Sequence, residues 1–128
     1  MKQSGFWNQF IALCTPNTPE EHLLYLQQRH IDPIISGTTH VDLRYSFETL
    51  YKDYDIKRIR VDSGGTLNGI LLKQGLVNEI SIIISPHLIG GNPLSTICDT
   101  TSINTEQTPI QLNLIHFQQL DKSYTWLR

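Results

Sequence analysis

The sequence contains little cysteine, and none of the spacings that give cysteine a recognisable chemistry. Only Cys14 and Cys98 occur among the 128 residues, without a C-x-x-C pair or a zinc-binding spacing. This argues against a disulfide framework. Because Cys14 lies in the apolar run of residues 10–14, we expect it to be a buried free thiol, which is typical of a reducing, cytoplasmic setting.

Membrane segments, metal motifs and basic tracts are absent as well. The first apolar stretch is interrupted by Asn8 and Gln9, and the run of residues 80–85 is too short for a bilayer, so no membrane partner is expected. The five histidines are scattered, and no metal site is predicted. The formal net charge is −2, and the basic cluster at residues 57–60 suits a solvated strand edge, so nucleic acid is not an expected partner.

The residues that are present predict a globular α/β chain. A hydrophobic content of 39% and a charged content of 17% exclude a disordered chain, and the length suits a single domain over residues 1–128. Apolar periodicity predicts three helices, which begin near residues 19, 42 and 66. Six strands are predicted, at residues 10–14, 34–35, 56–61, 79–85, 111–118 and 123–128.

The predicted order is β-α-β-α-β-α-β, followed by two further strands. This alternation implies a three-layer α/β/α sandwich with a mostly parallel sheet and a C-terminal antiparallel strand pair. Capping residues support the helix positions: Thr18, Pro19 and Glu21 fit a capping box, Asp42 fits an N-cap, and Gly75 fits a C-terminal cap. The connection of residues 86–109 is long for a compact domain, which is typical of a functional or mobile loop.

The turn at residues 61–67, Val-Asp-Ser-Gly-Gly-Thr-Leu, carries the most functional information. A β-branched run ends there in an acid, a hydroxyl and two glycines, and a helical pattern follows. Backbone N–H groups at a helix start have no partner inside the helix and suit a phosphate group. A simple tight turn explains the same residues, because Gly64-Gly65 alone is not the G-x-G-x-x-G fingerprint.

Other residues near strand ends are candidates for the same site. Thr15 and Gly37 are expected at the same sheet edge as the turn, since parallel strands end together. Asp62 suits a contact with a substrate hydroxyl or amine, although a turn carboxylate that caps nearby N–H groups also explains an acid at this position. Gly90-Gly91 fits either a second loop of the site or a plain bend. Ser63 does not lie in a G-x-S-x-G elbow, so no catalytic nucleophile is predicted.

Several motifs together resemble the reductase domain of riboflavin biosynthesis, which is similar in fold to dihydrofolate reductase. That family has the patterns V-D-L, V-E-G-G-G-T-L, G-L-V-D-E and P-x-L-x-G-G in this order. The corresponding segments here are Val41-Asp42-Leu43, the turn of residues 61–67, Gly75-Leu76-Val77-Asn78-Glu79, and Pro86 with Ile89-Gly90-Gly91. The resemblance covers roughly residues 10–128.

The resemblance implies an NADPH-dependent reductase that opens the ribose of a ribosylamino-pyrimidine 5′-phosphate to a ribityl chain. It implies that the glycine turn holds the cofactor pyrophosphate and that the loop from Thr15 lies near the adenosine 2′-phosphate. The acid before the glycines would face the substrate, which places Asp62 there. The implied pyrophosphate-binding residues are Ser63, Gly64, Gly65, Thr66 and Leu67.

The sequence departs from the family pattern in three residues and in extent. Asp62 replaces glutamate, Ser63 replaces the first glycine, and Asn78 replaces aspartate. The family's N-terminal portion, with its S-x-D-G region, precedes the part matched here, so we expect most substrate contacts to be missing. The alternative function is a non-catalytic nucleotide-binding or dimerisation module. Because a lost strand would expose sheet edges, we expect a homodimer through the C-terminal strands and Trp126.

Overall fold

A computed structural model describes residues 9–88, 90, 96–99 and 109–128 of the chain. These residues form two compact units, of which the first ends at Arg60 and the second begins at Val61. Both units contain helices and strands, which confirms the α/β class. Most of the long connection predicted at residues 86–109, with Gly91, lies outside the described residues.

The first unit contains a parallel strand pair and two helices. Its two strands pair in parallel, from Ile11 opposite Asp32 to Cys14 opposite Ile35. This pairing confirms the β-α-β order predicted for the start of the chain. Its elements are, in chain order, β1 (Ile11–Cys14), α1 (Glu20–Gln28), β2 (Asp32–Ile35) and α2 (Leu43–Tyr54).

The buried part of the first unit combines apolar side chains with a pair of serine hydroxyls. The apolar members are Cys14, which is a free thiol as predicted, Leu26 and Ile34. Ser46 of α2 is fully buried, and its hydroxyl donates to the Asp42 carbonyl oxygen at 2.7 Å and lies 3.0 Å from the Ser36 hydroxyl. These bonds satisfy the buried oxygens and fasten the start of α2 to the end of β2.

One of the two predicted N-caps is confirmed and the other is wrong. The Asp42 side chain accepts a hydrogen bond from an amide in the first turn of α2, as predicted. The capping box of Thr18 and Glu21 does not form, because α1 begins one residue later, with Pro19 as an N-cap that makes no side-chain hydrogen bond. The Thr18 hydroxyl instead accepts from the Thr15 amide at 3.1 Å, and this local bond competes with capping.

The second unit contains one helix and an antiparallel sheet. The strand order is β3-β5-β4, and both pairings are antiparallel. The predicted C-terminal antiparallel pair is therefore confirmed. Among the described strands the pairing is only partly parallel, since β1 and β2 pair in parallel, whereas β3 and β4 both pair antiparallel with β5. The elements are α3 (Gly65–Lys73), β3 (Ile82–Ile84), β4 (Phe117–Leu120), a 3₁₀ turn (Asp121–Ser123) and β5 (Tyr124–Leu127).

The boundaries of the second half also differ from prediction. Residues 56–61 form no strand, and Ile59 and Val61 are 41% and 39% exposed. A strand needs a partner for its backbone groups, and no described residue pairs with this segment. The strand predicted at residues 79–85 is shorter in the structure and corresponds to β3. The strand predicted at residues 111–118 begins later and corresponds to β4.

The C-terminal end of α3 agrees with prediction. Gly75 has a φ of +64°, and its amide donates to the Leu72 carbonyl oxygen at 3.0 Å. The amide of Leu76 reaches back to the Leu71 carbonyl oxygen, also at 3.0 Å. This pair of bonds is a Schellman motif, in which glycine accepts the left-handed conformation that other residues avoid.

Candidate functional site

The glycine turn leads directly into α3, and no side chain caps the start of this helix. Gly64 is the N-cap residue, with an extended backbone of φ −79° and ψ 170°. No side chain caps the helix there, and no acidic residue lies in its first turn. The positive end of the helix dipole is therefore not compensated by the first turn itself.

The first amides of α3 are open within the described part of the chain. The N–H groups of Gly65, Thr66 and Leu67 have no acceptor among the described residues, and the first helical bond runs from the Asn68 amide to the Gly64 carbonyl oxygen at 3.2 Å. A Cβ atom placed on Gly64 would meet no heavy atom within 4 Å. Unpaired amides beside open space are the arrangement that binds a phosphate.

Another face of α3 is covered by the backbone of residues 96–99, which we call the strap. A Cβ on Gly65 would overlap the Thr96 carbonyl oxygen and lie 3.1 Å from the Asp99 amide nitrogen. A Cβ on Gly69 would overlap the Asp99 carbonyl oxygen. The Asp99 amide donates to the Gly65 carbonyl oxygen at 2.8 Å. Both glycines therefore allow the strap to approach the helix closely, through the Cα side and the carbonyl oxygen of Gly65, while the Gly65 N–H stays open.

Asn68 fastens the strap and the turn to the same helix. Its side-chain amide donates to the Ser63 carbonyl oxygen at 3.3 Å and to the Ile97 carbonyl oxygen at 3.0 Å. Positions three and four residues apart share a helix face, so Asn68 and Gly69 both lie near Gly65. Sequence reasoning missed Asn68 and the strap, although a glycine at position 69 inside a helical pattern indicates close packing.

The remaining predicted residues of the turn are mostly accessible. Asp62, Ser63 and Thr66 are exposed, and Leu67 is half-buried. Asp62 lies two residues before Gly64, so its carboxylate is close in sequence to the open amides. Among the described residues, no group of histidine, cysteine and acidic side chains is arranged to hold a metal ion. None of the helices that the structure describes combines the length and apolar character that a membrane crossing requires.

Thr15 lies in the first unit, whereas the other predicted site residues lie in the second. It follows β1 and forms a turn in which the Thr18 amide donates to the Thr15 carbonyl oxygen at 3.0 Å. The Asn17 side chain donates to the Thr38 carbonyl oxygen at 3.4 Å, next to Gly37 with its φ of +71°. The loops after β1 and β2 are therefore joined, as predicted for two parallel strands that end at one edge.

The first unit has a parallel β-α-β arrangement, and the second unit has a helix start that is open to an anion, a feature that can hold a phosphate-bearing ligand. The chain belongs to the family of the RibD C-terminal domain, whose model matches residues 8–126. This match confirms the resemblance to the reductase domain of riboflavin biosynthesis.

Three curated relatives carry the same name, 2,5-diamino-6-ribosylamino-4(3H)-pyrimidinone 5′-phosphate reductase. The protein of Methanothermobacter thermautotrophicus is 32% identical over 109 residues, which cover 85% of this chain and 47% of the relative. The protein of Archaeoglobus fulgidus is 38% identical over 68 residues, which cover 53% of this chain and 31% of the relative. The protein of Aquifex aeolicus is 28% identical over 87 residues, which cover 68% of this chain and 38% of the relative. The chain thus spans less than half the length of these relatives.

Proposed function

We propose that this chain is the cofactor-binding part of an NADPH-dependent reductase of the riboflavin type. Its substrate would be a ribosylamino-pyrimidine 5′-phosphate, which is reduced to the ribitylamino form. Family membership and the names of the relatives support the reaction. The structural observation that carries the proposal is the start of α3, where three amides have no acceptor among the described residues.

The residues present fit a dinucleotide phosphate. The N–H groups of Gly65, Thr66 and Leu67 would bind the pyrophosphate oxygens, and the open space beside Gly64 leaves room for the anion. The Ser63 side chain is exposed and its carbonyl oxygen is held by Asn68. When bound, NADPH supplies the hydride that converts the ribosyl group into the ribityl chain.

The proposed site has two further members. Thr15, in the joined loops after β1 and β2, would lie near the adenosine 2′-phosphate, as membership of the family implies. Thr18 and Asn17 hold the loops in which it lies. Asp62 would contact the substrate, since a carboxylate accepts hydrogen bonds from amino and hydroxyl groups of a pyrimidine nucleotide. Replacing Asp62 with Asn would then raise KM for the substrate without changing NADPH affinity.

We further propose that the two units belong to one domain with the three-layer, dihydrofolate-reductase-like fold. Neighbouring residues of the first unit support the layering: Ile35 lines a groove with α1, while Ser36 contacts Ser46 of α2. Because successive residues of an extended segment point to opposite sides, the two helices would cover opposite faces of the strand pair. The free thiols Cys14 and Cys98 suit a cytoplasmic location.

A homodimer remains part of the proposal. Large apolar side chains on the C-terminal strands are exposed, with Phe117 at 65% and Tyr124 at 41%. Trp126 also contributes bonds within the sheet, because its indole N–H donates to the Ser81 hydroxyl at 2.8 Å. Sedimentation velocity should show a dimer for the wild type and a monomer for Phe117→Glu, whereas a wild-type monomer would contradict the proposal.

The second candidate function is a non-catalytic nucleotide-binding or dimerisation module. It is favoured by the open helix start of α3 and by the exposed apolar side chains Phe117 and Tyr124, since neither feature requires a catalytic residue. Two measurements on the same preparation separate the candidates: a fluorescence titration with NADPH, and the absorbance decrease of NADPH in the presence of the pyrimidinone 5′-phosphate. Binding with turnover supports the reductase, and binding without turnover supports the module. No binding contradicts both.

A further inference from the structure

The side-chain amide of Asn68 connects three segments of the second unit. An asparagine NH₂ group has two N–H donors, and both are used here, one on the Ser63 carbonyl oxygen and one on the Ile97 carbonyl oxygen. We propose that Asn68 is a positioning residue for the cofactor-binding turn and that the strap supports the same site. This inference rests on the proposed function of the turn.

The planarity of the peptide bond explains how Asn68 acts at a distance from the ligand. The Ser63 carbonyl and the Gly64 N–H belong to one peptide plane, and in a trans peptide they point in opposite directions. By holding the Ser63 oxygen toward α3, Asn68 turns the Gly64 N–H away from the helix. No described residue accepts a hydrogen bond from this N–H, so it joins the open amides of the helix start.

The strap to which Asn68 bonds is itself held against α3. The Asp99 amide donates to the Gly65 carbonyl oxygen at 2.8 Å. The strap lies so close to Gly65 and Gly69 that a Cβ atom at either position would overlap its backbone. Asn68, three residues after Gly65, bonds the strap at the Ile97 carbonyl oxygen. The turn, the helix and the strap are therefore linked by hydrogen bonds, so that a shift of the strap alters the position of the Ser63 carbonyl.

A role in positioning can be separated from a role in stability. Ser63 is exposed and Ile97 is 62% exposed, so water can replace the Asn68 donors when they are removed. Loss of the side-chain amide should therefore change the fold little, while the orientation of the Ser63–Gly64 peptide is no longer fixed. Cofactor affinity should fall much more than thermal stability.

The test compares Asn68→Leu, which keeps the approximate shape and adds no charge, with Asn113→Leu as a matched control. Asn113 is exposed and makes no hydrogen bond to another described residue. We expect NADPH to bind the Asn68 variant about tenfold more weakly, the effect of one or two lost hydrogen bonds, and the control to bind normally. Amide hydrogen exchange at Asp99 should become several-fold faster in the Asn68 variant only.

Each outcome decides the inference. Unchanged affinity, or unchanged exchange at Asp99, would overturn it. If the free energy of unfolding and the free energy of NADPH binding fall by equal amounts, Asn68 has a merely structural role. Asn68→Ala, which also lacks the NH₂ donors and adds no charge, tests this again if the leucine variant unfolds. If wild-type protein binds no NADPH, the proposed function fails and with it the role in the cofactor site. The exchange rate of Asp99 then still decides whether Asn68 fastens the strap.

Discussion

Replacing Gly64 with aspartate should move stability and cofactor affinity in opposite directions. The backbone of Gly64 already has the extended conformation of an N-cap, and a Cβ there meets nothing within 4 Å. An aspartate side chain can therefore accept hydrogen bonds from the first turn of α3, the bonds that no side chain makes in the wild type. The same carboxylate would occupy the place of the phosphate.

The magnitudes follow from the uncapped helix start. Capping adds a few tenths of a kcal/mol over glycine, the helix dipole adds roughly 0.3–1, and the loss of glycine freedom in the unfolded chain adds a similar amount, so Gly64→Asp should stabilise by about 1 kcal/mol. Each hydrogen bond to a charged group contributes roughly 1.5–3 kcal/mol, so losing two of them should weaken NADPH binding more than about a hundredfold.

Chemical denaturation and an NADPH fluorescence titration measure the two effects. Asn113→Asp is the control, because it adds the same charge at an exposed position outside the helix start. It should leave both quantities nearly unchanged. The reasoning is refuted if Gly64→Asp is more stable but binds NADPH as the wild type does, since a carboxylate at the helix start would then not compete with the cofactor. A less stable Gly64→Asp protein would refute the capping argument instead.

Three further substitutions test local packing and capping within the two units by chemical denaturation. Gly65→Ala should destabilise the second unit by about 2 kcal/mol, because its Cβ would overlap the Thr96 carbonyl oxygen of the strap, whereas Gly64→Ala should cost little. Ser46→Ala should cost about 1–2 kcal/mol, since the fully buried hydroxyl bonds Asp42 and contacts Ser36. Asp42→Ala should cost about 1 kcal/mol through the lost N-cap of α2, and Asp42→Asn should cost clearly less.

Each of these substitutions has an outcome that contradicts its explanation. Equal stability of Gly64→Ala and Gly65→Ala would mean that the strap does not lie against the helix. If the losses of Ser36→Ala and Ser46→Ala simply added in the double variant, the two hydroxyls would not be coupled. An Asp42→Asn protein as unstable as Asp42→Ala would show that the carboxylate position has a role other than capping.

Local chemistry made the turn and its helix predictable from the sequence. Gly75 after the apolar pattern indicated the end of α3, and Asp42 indicated the start of α2, because each residue acts on backbone groups within a few positions. The capping box at Thr18 was wrong for the same local reason, since the hydroxyl had a second partner, the Thr15 amide. Two local bonds of similar strength cannot be ranked from the sequence.

Pairings between distant segments were less predictable. β3 pairs with β5, more than forty positions further along the chain, and the alternation of helices and strands does not indicate this partner. The strap lies some thirty residues after Gly65, and its contact with the helix is visible only in the structure, where its backbone occupies the space beside this glycine. Whether a glycine admits a ligand or another backbone segment is decided by tertiary contacts, which is why Gly64 and Gly65 looked equivalent in the sequence.

The central claim is that the start of α3 binds the phosphates of NADPH, and an NMR titration of ¹⁵N-labelled chain with NADPH tests it most directly. The claim predicts saturable shifts of the amide signals of residues 64–67, because no described residue accepts a hydrogen bond from these N–H groups. The same titration of Gly64→Asp should leave these signals in place. Saturable binding with shifts elsewhere and none at residues 64–67, or no binding at all, would contradict the claim.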